Sequence, residues 1–196
     1  MKKIEHTYID DASLWDSFRN GDEQAISCIY KTHIQALFQY GSKFSPDQSF
    51  VIDCIHDLFV DIIEHRSTVG RTDNIRYYLI RSLRHKMLRN LKSHHTDLLN
   101  SHVFLLEVAF DEHLYEHETN QHQRLRIRDA LNKLPERQKE AIYLRYIMDL
   151  KNEEIAKVMN ISYQAVRNTL YKAIDNLRKS MSKEDFILFA MIFKRL

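Results

Sequence analysis

Five side chains toward the C-terminal end, Gln164, Arg167, Asn168, Tyr171 and Lys172, recur at spacings of three and four residues and share one face if the segment is helical. Their chemistry is that of nucleic-acid readers: amides and a guanidinium address base edges, while cations and hydroxyls hold phosphates. Upstream, Asp53, Asp57 and Asp61 stand at i, i+4 and i+8 with His56 beside them. Like charges at that spacing weaken an isolated helix by roughly a few tenths of a kcal/mol per pair, so the stripe needs a basic partner or is a solvated acidic face. Residues 74–92 reverse the sign, with Arg76, Arg81, Arg84, Lys86, Arg89 and Lys92, two tyrosines at Tyr77 and Tyr78, and no acid. Cations that follow phosphates and aromatic faces that stack on bases are the combination that binds single-stranded DNA, with one of the two tyrosines expected in the core. The plain alternative is core tyrosines and solvated cations.

No bond-making chemistry competes with these readings. The chain has no phosphate-binding glycine loop, no nucleophile elbow and no clustered metal ligands. His113 and His117 share a helical face near Glu116 and His122, but no thiolate assists them. Neither a metal nor a cofactor is expected.

The elements that carry these residues are helices. Three Gly and two Pro in 196 residues leave few of the punctuators that hairpins and βα turns need, so the class is all-α. Cys28 and Cys54 lie inside apolar helical patterns without CxxC spacing and read as buried thiols, which fits a reducing cytoplasm. No uncharged stretch of about 18 residues occurs, so neither secretion nor membrane insertion is expected. Net charge is only +2, but the charges are sorted into blocks: residues 93–123 carry six acids and no Lys or Arg.

Apolar spacing predicts helices near 12–18 and 23–40, a stop at Gly41, and a helix from Ser45-Pro46-Asp47, with Pro at an early helical position, to about Arg66. After a loop over 67–73, another helix is expected over about 74–93. Residues 94–123 lack a clean period and hold six of the eleven histidines, so they read as an acidic linker with some helix around 103–110. From Leu125 the period returns: a helix to about Lys133, a break at Leu134-Pro135, a helix over 136–146, a turn near Asp149 and two more helices. Two small helical domains follow, over 12–93 and 124–181, joined by the linker at 94–123 and followed by an apolar helix over 182–196.

Residues 152–172 meet the demands of a helix-turn-helix one by one. A small residue belongs where the second helix crosses the first, and Ala156 stands there. The turn needs a residue that tolerates left-handed dihedrals, which Asn160 does. Ser162 then caps the second helix, whose outward face holds Tyr163 and the five polar residues named above. The alternative is an ordinary amphipathic hairpin with a solvated face.

On these residues the chain resembles a known family. The stretch LPERQKEAIYLRYIMDLKNEEIAKVMNISYQAVRNTLYKAIDNLRK resembles region 4 of bacterial sigma factors of the extracytoplasmic-function (ECF) group in the sigma-70 family. VIDCIHDLFVDII is similar to the family's region 2.2, and NIRYYLIRSLRHKMLRNLK to regions 2.3 and 2.4. The resemblance implies a promoter-specificity subunit that works with bacterial core RNA polymerase and performs no chemistry itself. It implies minus-35 contacts from Ser162, Tyr163, Gln164, Arg167, Asn168, Tyr171 and Lys172, and minus-10 contacts from Asn74, Arg76, Tyr77, Arg81, Arg84, His85, Arg89 and Lys92. Polymerase docking falls to Asp53, His56, Asp57 and Asp61, and the loop over 66–74 is implied to capture an unpaired base. The chain departs from the family pattern at His85, Arg89 and Thr169. The acidic linker reads as solvated chain or as a mimic of nucleic-acid charge in the RNA path. The apolar tail is open to an anti-sigma factor, region 4 or region 2. The alternative function is a stand-alone helix-turn-helix regulator.

Overall fold

A computed structural model describes residues 9–94, 104 and 118–192, all helix, turn and connecting loop. The chain divides into two compact units, Met1–Leu99 and Asn100–Leu196.

Unit 1 contains α1 (Asp11–Arg19), α2 (Glu23–Gly41), α3 (Gln48–Glu64) and α4 (Ile75–His94). Each of the first three starts on an aspartate outside the helix: Asp10, Asp22 and Asp47 accept hydrogen bonds from first-turn amides that have no helical partner. Asp47 therefore takes the cap of α3 and Pro46 lies before the helix, where the sequence pattern had placed it within the first turn. Helix α4 packs on the other three and fills the centre with Ile75, Leu79, Ile80, Leu83 and Met87, all fully buried. Each such side chain contributes about 1.5–3 kcal/mol on burial. Gly41 ends α2 as the pattern predicts, but for a reason of space: a Cβ there would sit 2.6 Å from Val51 Cγ1.

Of the two thiols expected to be buried, Cys54 is and Cys28 is only in part. Both are free, and Asn90 Nδ2 donates to Cys54 Sγ at 3.6 Å. His33 of α2 is less comfortable. Its ring is buried and Nδ1 has no hydrogen-bond partner. Burial holds its pKa below the ordinary 6.5, against the pull of Asp11 on α1 and with the push of Arg76 on α4. The stability this contributes is fully present above about 6.5. It declines as pH falls, because the unfolded chain takes up the proton that folded His33 resists, and levels off below the folded pKa. His33→Phe is therefore expected to flatten the fall in urea midpoint between pH 7.5 and 5.5. Equal falls in both proteins, followed by circular dichroism, would reject this account.

Unit 2 contains α5 (Glu118–Asn132), α6 (Glu136–Ile142), α7 (Asn152–Met159), α8 (Tyr163–Ser180) and α9 (Lys183–Ile192). Helix α6 does not run on to Tyr146 as an α-helix. It widens into a π-helical turn over Tyr143–Ile147. Residues 139–144 are buried without interruption, so this is the central rod of the unit rather than an amphipathic surface helix. Helix α8 packs on α5, α6, α7 and α9.

Helix α5 begins at Glu118, inside the expected linker and seven residues before Leu125. Part of what holds it lies far away in sequence. Arg126 donates two hydrogen bonds to Asp185 of α9, at 2.7 and 2.8 Å. These bonds hold the Asp185 carboxyl below the usual carboxylate range. The apolar tail thus docks on its own unit: Phe189 is fully buried, and Arg178 lies over the Phe186 ring at 5.4 Å. The other expectations for the linker, including His113 and His117, fall outside the described residues, as does the tail beyond Ile192.

Candidate nucleic-acid and polymerase interface

The helix-turn-helix of unit 2 is built from α7 and α8. Glu154 reaches back to the Lys151 amide at 2.7 Å and fixes the start of α7. Asn160 adopts φ 54 and ψ 51, the left-handed conformation that stops α7 and reverses the chain. The Ile161 amide bonds back to Ala156 carbonyl at 3.0 Å, and Ser162 Oγ accepts the Ala165 amide at 3.1 Å to open α8. Ile155, Ala156, Val158 and Met159 of α7 and Val166, Leu170, Ala173 and Leu177 of α8 are buried. Ile161, in the turn between them, is half-buried.

That packing decides which face of α8 is free. Ser162, Tyr163, Gln164, Arg167, Asn168, Tyr171 and Lys172 are all exposed, Tyr171 at 75%. Gln164 Nε2 donates to Asn168 Oδ1 at 3.4 Å, which orients two amides side by side. An exposed, pre-oriented face on a helix capped at the turn has the form of a major-groove reader. Ser162→Ala is expected to cost about 1 kcal/mol of unit 2 stability and Ser162→Gly only a few tenths. No loss for Ser162→Ala in chemical unfolding would show that the cap contributes nothing.

In unit 1 the acidic stripe is exposed along α3 at Asp53, His56, Asp57 and Asp61. It is not uniform. Lys86 of α4 reaches Asp61 at 2.6 Å and Asp57 at 4.0 Å, while its own side chain is only 9% exposed. Lys86 is therefore the basic partner of the stripe and not a phosphate ligand, a correction to its place among the six cations. Asp53 stands outside this pairing, eight residues from Asp61. His56 also borders an open apolar groove of about 470 Å³ between α2 and α3, lined by Ile26, Tyr30, Phe59, Val60 and Ile63.

Helix α4 divides its two tyrosines by angle. Tyr78 packs on Trp15 with centroids 4.7 Å apart, so it belongs to the core contact, and burial raises its pKa. Tyr77 is half-buried, and with exposed Arg81, His85 and Arg89 it follows four-residue spacing along one outward face, flanked by half-buried Arg84. Arg76 is exposed but leaves this face, standing about 140° round the helix from Arg81 at about 100° per residue. Its charge is felt at His33. Asn74 uses its side-chain oxygen to accept the Tyr77 amide at 2.9 Å, so that atom serves as the helix cap. The Lys92 side chain falls outside the described residues.

The loop ahead of α4 is fastened to α1. Trp15 Nε1 donates to Gly70 carbonyl at 2.8 Å, and Arg19 Nε to Val69 carbonyl at 3.0 Å. The Ile75 amide donates to Asp11 at 2.9 Å. Arg71, at the loop's exposed end, lies 3.8 Å from Asp16. Sequence reasoning passed over Arg71, Trp15 and Arg19. A basic residue beside the loop glycine was the available signal for Arg71, whereas nothing in the spacing announced contacts that span 50 and 55 residues.

Known proteins resemble this chain in sequence and in fold. The family described as "Sigma-70, region 4" matches residues 124–177. The chain is 23% identical over 160 residues to RNA polymerase sigma factor SigV of Bacillus subtilis, covering 82% of this chain and 92% of that protein. It is also 23% identical over 164 residues to ECF RNA polymerase sigma factor SigX of the same organism, covering 81% of this chain and 84% of that protein. Among solved structures, CnrH in complex with the cytosolic domain of CnrY matches with a TM-score of 0.58 at 21% identity, over 86% of this chain and 95% of that one. The sigma factor RpoE with the anti-sigma factor NepR from Bartonella quintana matches with a TM-score of 0.58 at 18% identity, over 80% and 96%. At these identities the structural matches speak for the fold.

Proposed function

The chain belongs to the sigma-70 family of RNA polymerase sigma factors, in its ECF group, and from that membership we propose how its two units divide the work of directing core polymerase to promoters. Unit 2 reads the minus-35 element through Ser162, Tyr163, Gln164, Arg167, Asn168, Tyr171 and Lys172. The observation that carries this is the exposed polar face of α8, complete on the side that the core of the helix-turn-helix leaves free. Unit 1 holds the opened minus-10 strand on the Tyr77, Arg81, His85 and Arg89 face, with Arg84 beside it, and docks polymerase on Asp53, His56 and Asp57. Arg76 and Asn74 support α4 and its entry rather than reading bases.

The family is regulatory and non-catalytic, and this chain is read likewise: polymerase makes the phosphodiester bonds. Among the described residues no helix is long and apolar enough to cross a membrane, which is consistent with work in the cytoplasm. The relatives in solved complexes are bound to CnrY and to the anti-sigma factor NepR, and an anti-sigma partner is proposed here too. A stand-alone regulator would use unit 2 alone, whereas the relatives match over both units.

The test is transcription. Purified chain mixed with core polymerase and a promoter library should yield transcripts that start downstream of a shared minus-35 and minus-10 pair. Random start sites, with core otherwise active, would reject the reading.

A further inference from the structure

Gln164 and Asn168 stand one turn apart on the exposed face of α8, and a hydrogen bond joins their side chains: Gln164 Nε2 donates to Asn168 Oδ1 at 3.4 Å. A side-chain amide carries one acceptor oxygen and two N–H donors, so this bond leaves the two residues with different remainders. Gln164 keeps its carbonyl and one N–H. Asn168 has its carbonyl engaged and keeps two donors. Turning over the Gln164 amide alone would set its carbonyl against that of Asn168, so the order of donor and acceptor on Gln164 is held rather than free.

That order matches one base. In the major groove adenine presents an acceptor at N7 beside a donor at N6, and a glutamine that keeps one N–H and its carbonyl meets both. Guanine presents two acceptors and would set O6 against the Gln164 carbonyl, while cytosine offers only the N4 donor and thymine an acceptor and a methyl group. Position agrees with chemistry. Gln164 is the second residue of α8, and it is the N-terminal residues of a recognition helix that reach base edges. Ser162 Oγ, accepting the Ala165 amide, fixes the turn from which Gln164 projects. Val166 and Leu170, buried on the far side of α8, fix the rotation of the helix about its axis.

We propose that Gln164 is a specificity-determining residue that reads one adenine of the minus-35 element through N6 and N7, and that Asn168 is its positioning residue. Asn168 holds the Gln164 amide in the adenine-reading order while its own two donors face acceptors of a neighbouring base. The inference rests on the reading of unit 2 proposed above, and adds to it the base that one position must hold.

The experiment gives polymerase carrying the full chain a promoter library randomised across the minus-35 element, and the sequenced transcripts report the preference for each base at each position. Wild type should favour adenine at one position by about fivefold to a hundredfold over each other base, the range for a good bidentate contact. Gln164→Glu leaves an acceptor alone and should change that position, and no other, from adenine to cytosine. A carboxylate in the first turn suits a helix N-terminus, so the variant keeps its fold. Gln164→Ala should lose the adenine preference without gaining another, and it decides the matter should the glutamate variant give no transcripts. Asn168→Ala frees the amide to turn and should cut the preference to less than threefold. Asn168→Asp still accepts from Gln164 and should restore it, even as the added negative charge lowers output overall. A glutamate variant with the wild-type profile overturns the reader, and a shift to guanine or thymine overturns the donor–acceptor order. Adenine preference undiminished in Asn168→Ala, or not restored in Asn168→Asp, overturns the positioning role. Each of these results leaves the promoter reading standing, because wild type still starts at defined promoters. Wild-type starts with no base preference at any position would overturn that reading and the inference together.

Discussion

Alanine at both Arg167 and Asn168 is expected to lower promoter-specific initiation by roughly a hundredfold to ten-thousandfold, with binding to core polymerase unchanged. Both side chains are exposed on the free face of α8, so their removal leaves no buried group unsatisfied and no cavity. The loss is that of base contacts, each good one worth about 1–3 kcal/mol of discrimination. A residue that merely holds phosphate behaves differently. Lys172→Ala should weaken binding to all sequences alike and reduce the salt slope by about 1. Footprinting across a salt series separates the two, and a double variant that still protects its minus-35 element at wild-type concentration would remove α8 from the reading role.

The second large effect is expected in the acidic stripe, and it divides the carboxylates. Asp53 has no share in the Lys86 pairing, so its charge is free for a basic partner on polymerase. Asp53→Arg should weaken core binding at least tenfold at low salt, chiefly through slower association, with the deficit shrinking as salt rises. Asp61 is already paired. Asp61→Asn leaves the enclosed Lys86 ammonium with Asp57 at 4.0 Å as its remaining neighbour in the stripe. Because Asp61 is 54% exposed, the loss should be about 1–2 kcal/mol of unit 1 stability rather than the larger figure for a fully buried pair. Core affinity should change less than twofold. Surface-binding kinetics and thermal unfolding give both numbers, and a pattern in which Asp61→Asn costs affinity but no stability would invert the assignment.

What could be read from sequence follows the range of the forces involved. The helix-turn-helix was legible because its demands are local: a small residue, a left-handed turn at Asn160 and a cap at Ser162 all fall within seven residues. The α3 stripe was local too, whereas the Asp caps, equally local, went unread: Pro46 was placed within the first turn of a helix that Asp47 caps. Lys86 was counted with the outward cations because charge blocks ignore angle. Its position three residues after Leu83 and seven after Leu79 places it on the buried stripe of α4, so the periodicity held the signal. The start of α5 was not legible. Its first turn is polar, and the Arg126–Asp185 pair that helps hold the helix joins residues 59 apart. Phe104, buried against Tyr143 and bonded to Glu136, was hidden for the same reason, since those partners lie 39 and 32 residues away.

Trp15, the chain's one tryptophan, has its indole N–H tied to the carbonyl of Gly70, in the loop that the family resemblance implies for base capture. Movement of that loop away from α1 must lengthen or break this bond and alter the polarity around the ring. The protein therefore carries its own optical probe: promoter opening by the holoenzyme should register as a change in Trp15 emission, provided the tryptophans of polymerase are silenced by analogue substitution. Strand separation could then be timed at the protein surface proposed to hold the opened strand, with no dye attached to the DNA.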